Sequence, residues 1–84
     1  MYASDVNDLL QARVAMNVRL ARTNAGLSQR RLADLLDTGK ISISRWENGH
    51  VMPSTANVIA MADLFGLDPV WFYADHSAEA AAAA

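Results

Sequence analysis

With 84 residues, 52% of them hydrophobic, the chain holds the material of one small folded domain, which excludes two domains and wholesale disorder. It has no cysteine, which excludes a disulfide scaffold, a thiolate metal site and a cysteine nucleophile, and its two histidines, His50 and His76, are a poor start for zinc. The net charge is −2, yet all seven cations lie between Arg13 and Arg45 with only Asp34 and Asp37 among them, and five acids come after Arg45.

A basic window of local charge +5 inside a weakly acidic chain suits a one-sided anionic partner, and equally suits ordinary solvated helix faces. No stretch approaches the roughly 18–20 apolar residues of a membrane helix. The first residues lack the basic-then-apolar pattern of a signal peptide. The expectation is a soluble cytoplasmic domain.

Helical periodicity runs nearly throughout. The first helix is expected to start near Ser4 or Asp5 as cap and to end at Gly26, with Val14, Val18, Ala21 and Ala25 on one face. Ser28 caps a second helix whose buried stripe is Leu32, Ala33 and Leu36. A third runs from about Lys40 to Glu47 after Gly39, with Ile43, Trp46 and Glu47 on one face, and Asn48-Gly49 stops it. Ile41 to Ser44 alternates like a strand, but four residues inside a helical pattern read as helix.

Ser54 caps a fourth helix carrying Val58, Met61, Ala62 and Phe65, and Gly66 closes it. Asp68-Pro69 opens a short fifth helix through Val70, Trp71, Phe72 and Tyr73. The alanine-rich tail from Ser77 to Ala84 extends the last helix, is disordered, or was appended to the natural sequence. The expected architecture is a compact all-α, five-helix domain over residues 1–76 with a separate tail over 77–84.

The second and third helices are joined by about three residues, Asp37 to Gly39, which forces a sharp angle between them and gives the helix-turn-helix layout. Ile43 and Trp46 hold the third helix to the body. Lys40, Ile41, Ser42, Ser44 and Arg45 remain as a ridge of short polar side chains flanked by cations, a shape for a groove rather than a core.

The run from Leu27 to Gly49 resembles the helix-turn-helix of the Cro/CI-type (XRE-like) repressor family. The resemblance is gapless over these 23 residues and extends over roughly residues 14 to 74. Its ordered motif is Ser28-Gln29, Leu32-Ala33, Ile43 through Gly49, and Pro53. It implies that the third helix enters the major groove of double-stranded DNA. Lys40, Ile41, Ser44, Arg45 and Gln29 would then meet base edges, and Ser28, Arg30, Ser42, Asn48 and Arg19 phosphates.

The chemistry of those types agrees. Arginine can bond guanine O6 and N7 together, isoleucine packs on a thymine methyl, and the free amides opening the second helix favour a phosphate oxygen. The resemblance also implies that Arg22 and Glu47 pair with each other, that the domain binds a palindromic operator as a homodimer, and that repression is its effect. Trp71 and Tyr73 either cover the bottom of the core or form the candidate dimer surface, the second being favoured since aromatics are enriched at interfaces and related repressors dimerise near this end.

Two departures stand out. Asp37 occupies a turn position where the family usually has glycine, and Gly39 one where it often has Ser or Thr. A second reading is a protein-interaction module, such as an antitoxin or anti-repressor, that keeps the fold and works through its apolar end. Enzyme chemistry has no support: there is no Cys-His pair, metal cluster or glycine-rich phosphate loop. No cofactor, metal or small-molecule ligand is expected.

Overall fold

The computed structural model describes residues 3–83, and among them every regular element is helical. The elements are α1 (Ala3–Asn24), α2 (Gln29–Leu35), α3 (Lys40–Glu47), α4 (Thr55–Phe65), a 3₁₀ turn η1 (Pro69–Tyr73) and α5 (Ser77–Ala83). α1 starts before the expected cap at Ser4 or Asp5, whose side chains lie outside the described residues.

The connections arise from local chemistry. Ser28 Oγ accepts from the Arg31 amide at 3.0 Å and Ser54 Oγ from the Asn57 amide at 3.1 Å. Each satisfies a donor that a helix start leaves free. Gly66 closes α4 in the left-handed conformation, φ 68°, and the Leu67 amide returns to Ala62 O at 2.8 Å.

One core joins these pieces. Val14, Val18 and Ala21 of α1 meet Leu32 and Ala33 of α2, Ile43 and Trp46 of α3, and Val58, Met61 and Ala62 of α4. Phe72 of η1 is fully buried among them. Ala25, expected on the buried stripe, is exposed: α1 ends at Asn24 and the chain turns away before that residue can face inward.

The expected fifth helix is the 3₁₀ turn η1. Asp68 Oδ1 accepts from the Val70 amide at 2.9 Å, and the tighter winding ends at Tyr73. The tail forms α5, which packs on α1.

A buried polar residue fastens η1. Asn17 lies fully buried on α1, and its Nδ2 donates to Phe72 O at 2.9 Å and Ala74 O at 2.8 Å, with Trp71 O at 3.3 Å. A short 3₁₀ turn cannot satisfy its own last carbonyls, so a side chain from α1 does so. Replacing Asn17 with Ala should destabilise the domain by about 1–3 kcal/mol, because buried carbonyls lose their donor. Urea unfolding measures this, and an unchanged midpoint would show that Asn17 does not hold η1.

Candidate nucleic-acid interface

The link between α2 and α3 sets the geometry. Asp37 adopts φ 53°, the left-handed region that aspartate tolerates better than most residues. Its amide donates to Asp34 O at 3.2 Å, and the Thr38 amide to Ala33 O at 2.9 Å. Gly39 then starts α3 with extended backbone, φ −88° and ψ 151°. That conformation is open to any residue, and a Cβ on Gly39 would meet nothing within 4 Å. Glycine here serves no need of the fold; it leaves the approach to α3 bare.

α3 has two faces of opposite character. Ile43 and Trp46 are buried in the core. Lys40, Ile41, Arg45 and Asn48 are exposed, and Ser42 and Ser44 half-buried. Lys40, Ile41, Ser44, Arg45 and Asn48 keep to the helical repeat and line one open depression, with His50 at its edge. Ile41 is 71% exposed, the highest value among the exposed large apolar side chains. Asn48 Nδ2 donates to Ser44 Oγ at 3.2 Å, which ties the two polar groups at the far end of the ridge.

Behind this ridge sits a buried charge. The Glu47 side chain is wholly excluded from solvent. Arg22 grips it with a two-pronged fork, Nε to Oε2 at 2.6 Å and Nη2 to Oε1 at 2.9 Å. The third nitrogen, Nη1, donates to Leu27 O at 2.8 Å. All three guanidinium nitrogens are therefore engaged inside the protein.

Two residues assigned to DNA by resemblance also reach this carboxylate. Gln29 Nε2 donates to Glu47 Oε1 at 3.1 Å, and Arg19 Nε lies 3.5 Å from the same oxygen. The Arg19 side chain is still 56% exposed, so it also faces outward. Ser28 and Arg30 stand exposed at the start of α2. Ser28 Oγ accepts from an amide, which leaves its hydroxyl hydrogen free to donate.

One polar group that the sequence did not single out helps to set the ridge. Gln11 Nε2 donates to Gly49 O at 2.7 Å and fastens the turn after α3 to α1. His50 also lines the depression.

The aromatic end partly covers the core. Trp71 and Tyr73 are half-buried and pack against the core. Trp71 meets Phe72 edge to face at 5.2 Å. Val70 of η1 is exposed. Arg13 is half-buried with Nη1 3.5 Å from Tyr73 O.

Comparison with known proteins agrees with this geometry. The helix-turn-helix family model (HTH_3) matches residues 18–72. The chain belongs to this family, the XRE-like class of helix-turn-helix transcriptional regulators. It is 31% identical over 58 residues to the HTH-type transcriptional regulator DicA of Escherichia coli K12, covering 69% of this chain and 43% of DicA. The chain thus spans less than half the length of that relative.

Among solved structures it resembles the hypothetical transcription factor NHTF from Neisseria, with a TM-score of 0.75 and 27% identity over 83% of this chain and 80% of that one. It also resembles the restriction-modification controller protein C.AhdI from Aeromonas hydrophila, with a TM-score of 0.69 and 25% identity over 75% of this chain and 96% of that one. No helix among the described residues is long and apolar enough to cross a membrane.

Breaking the buried pair from one side should be costly. Arg22→Met leaves an uncompensated carboxylate and should lower stability by about 3–5 kcal/mol. Replacing both Arg22 and Glu47 with apolar residues should recover much of that loss. A denaturation double-mutant cycle checks this, and simple additivity would show that the pair is not coupled.

Proposed function

We propose that this protein is a sequence-specific regulator that binds double-stranded DNA, with α3 in the major groove, and represses transcription by occupying an operator that overlaps a promoter. One observation carries the reading: α3 is anchored by Ile43, Trp46 and Glu47 and turns Lys40, Ile41, Ser44 and Arg45 outward on a single exposed ridge. An isoleucine left 71% exposed between cations is unfavourable in water and useful against a thymine methyl. The relatives named above, which carry regulator or transcription-factor names, point the same way.

In this reading Arg45 spans guanine O6 and N7, Lys40 serves a guanine or a phosphate, and Ser44 bonds a base edge. Gln29 reaches an outer base from its place beside Glu47. Ser28, Arg30, Ser42, Asn48 and Arg19 position the domain on phosphates, which fixes register without reading sequence. Arg22 takes no part, since each of its three guanidinium nitrogens is bonded within the protein and its side chain is largely buried.

A single short ridge reads few base pairs, so the domain acts as a homodimer on an inverted repeat with half-sites about one helical turn apart. The exposed edges of Trp71 and Tyr73 form the surface between copies, together with Val70 beside them.

Two substitutions separate reading from positioning. Arg45→Ala should remove about 1–3 kcal/mol of discrimination at one base position. Arg30→Ala should weaken binding to all sequences alike and make the salt dependence shallower by about 0.9 in the logarithmic slope. Fluorescence anisotropy with an operator duplex and a scrambled duplex, over a salt series, measures both. If Arg45→Ala kept affinity and preference intact, α3 would not be the reading element.

A further inference from the structure

The helix-turn-helix match begins at residue 18, yet α1 begins at Ala3. The match therefore does not account for the first part of α1, whose outer face is apolar. Leu9 is 59% exposed and Met16 41%, with Ala12 exposed between them. Spacings of three and four set these side chains on one line along the helix, the repeat of a seam between paired helices. Scattered exposed apolar residues are ordinary, but an apolar line in one register is a contact surface.

The seam stands between two clefts. One lies toward the end of α3 and is lined by Asp8, Arg19, Asn48 and Gly49. The other lies toward the start of α5 and is lined by Arg13, Asp75 and His76. Ala12 and Met16 border both. A helix laid along the seam finds a recess on either side for its own flanking side chains.

The charges of the first cleft identify the helix that fits. Asp8 and Arg19 border the same flank of α1 but are about 16 Å apart along its axis, too far to pair within one chain. Arg19 keeps 56% of its side chain exposed beyond its 3.5 Å approach to Glu47. A two-fold axis across α1 near residues 13–14 lays a second α1 antiparallel on the first and turns each flank toward the same flank of the other copy. Asp8 of each copy then meets Arg19 of the other. Within one residue, the same register sets the long Met16 of each against the short Ala12 of the other. Parallel pairing would oppose Asp8 to Asp8 and Arg19 to Arg19, which like charges disfavour.

We propose that the outer face of α1 is a self-association surface, on which a second copy of this chain docks antiparallel through Leu9, Ala12 and Met16, with Asp8 and Arg19 as reciprocal ion pairs. This surface is distinct from that of Val70, Trp71 and Tyr73, and the two self-contacts are independent of each other. One consequence rests on the phosphate assigned to Arg19 above: an Arg19 held by Asp8 of the other copy is withdrawn from DNA, so α1 pairing opposes DNA binding.

Sedimentation equilibrium of the full chain reads the pairing. Met16→Glu changes an exposed site and should raise the dissociation constant by roughly tenfold or more, as expected for the loss of one buried apolar side chain. Asp8→Arg should weaken self-association, and so should Arg19→Asp. An equimolar mixture of these two variants should associate like the wild type, because each then meets the opposite charge on the other. Circular dichroism checks the fold of Arg19→Asp, which sets a second acid near Glu47, and the Met16→Glu result does not depend on it. Self-association unmoved by Met16→Glu would overturn the proposal. So would a chain that stays monomeric, which would leave the face to a different protein. Dissociation by Met16→Glu with no effect of Val70→Glu supports α1 pairing and removes the η1 surface. Pairing that persists in excess duplex DNA of random sequence removes the phosphate assignment of Arg19 and leaves the α1 surface standing.

Discussion

The architecture rests on one buried carboxylate. Glu47 ends α3 inside the protein, where an ion without partners would cost several kcal/mol. Arg22 supplies the compensating charge from α1 and uses its remaining nitrogen on Leu27 O, just before α2. Gln29 completes the set from the first residue of α2. A single charge thus fixes the mutual positions of three helices, and with them the angle at which the α3 ridge stands out. The same interaction withdraws Arg22 from the surface, so a basic sequence window is not simply a basic face.

Internal pairing and the placement of the remaining charges explain how a chain of net charge −2 can suit an anionic partner. Arg22 is neutralised internally by Glu47, and Arg13 is drawn toward the carbonyl of Tyr73. Arg30, Arg31, Lys40 and Arg45 stay exposed on α2 and α3, with Arg19 nearby on α1. The acids Asp63, Asp68, Asp75 and Glu79 belong to α4 and the segments after it. The helix pair that forms the ridge and its turn carry four exposed cations against the exposed Asp34 and Asp37, whereas the segments from α4 onward carry acids alone.

Much of this was legible in the sequence because it is local. Ser28, Ser54 and Asp68 cap the α2, α4 and η1 segments, Gly66 terminates α4 in the left-handed conformation, and Asp37 takes the same region in the turn. The apolar spacings placed Ile43, Trp46 and Met61 in one core. The parts that escaped depend on partners distant in sequence. Gln29 and Arg19 meet Glu47, Gln11 meets Gly49, and Asn17 meets the carbonyls of η1, contacts that no local pattern encodes. Asn17 did leave a signal, since it is a polar residue on the helix face that carries Val14, Val18 and Ala21. The tail stays open between helix and disorder in the sequence because a short alanine run has no fixed structure until it packs on a neighbour, here α1.

The central claim is that the α3 ridge reads DNA sequence. Selection from a pool of random duplexes by the purified protein at near-physiological salt tests it most directly. The expected result is enrichment of an inverted repeat whose half-site centres lie about 10–11 base pairs apart. Failure of the folded protein to enrich any sequence would contradict the claim, and would return the ridge to the status of a solvated helix face.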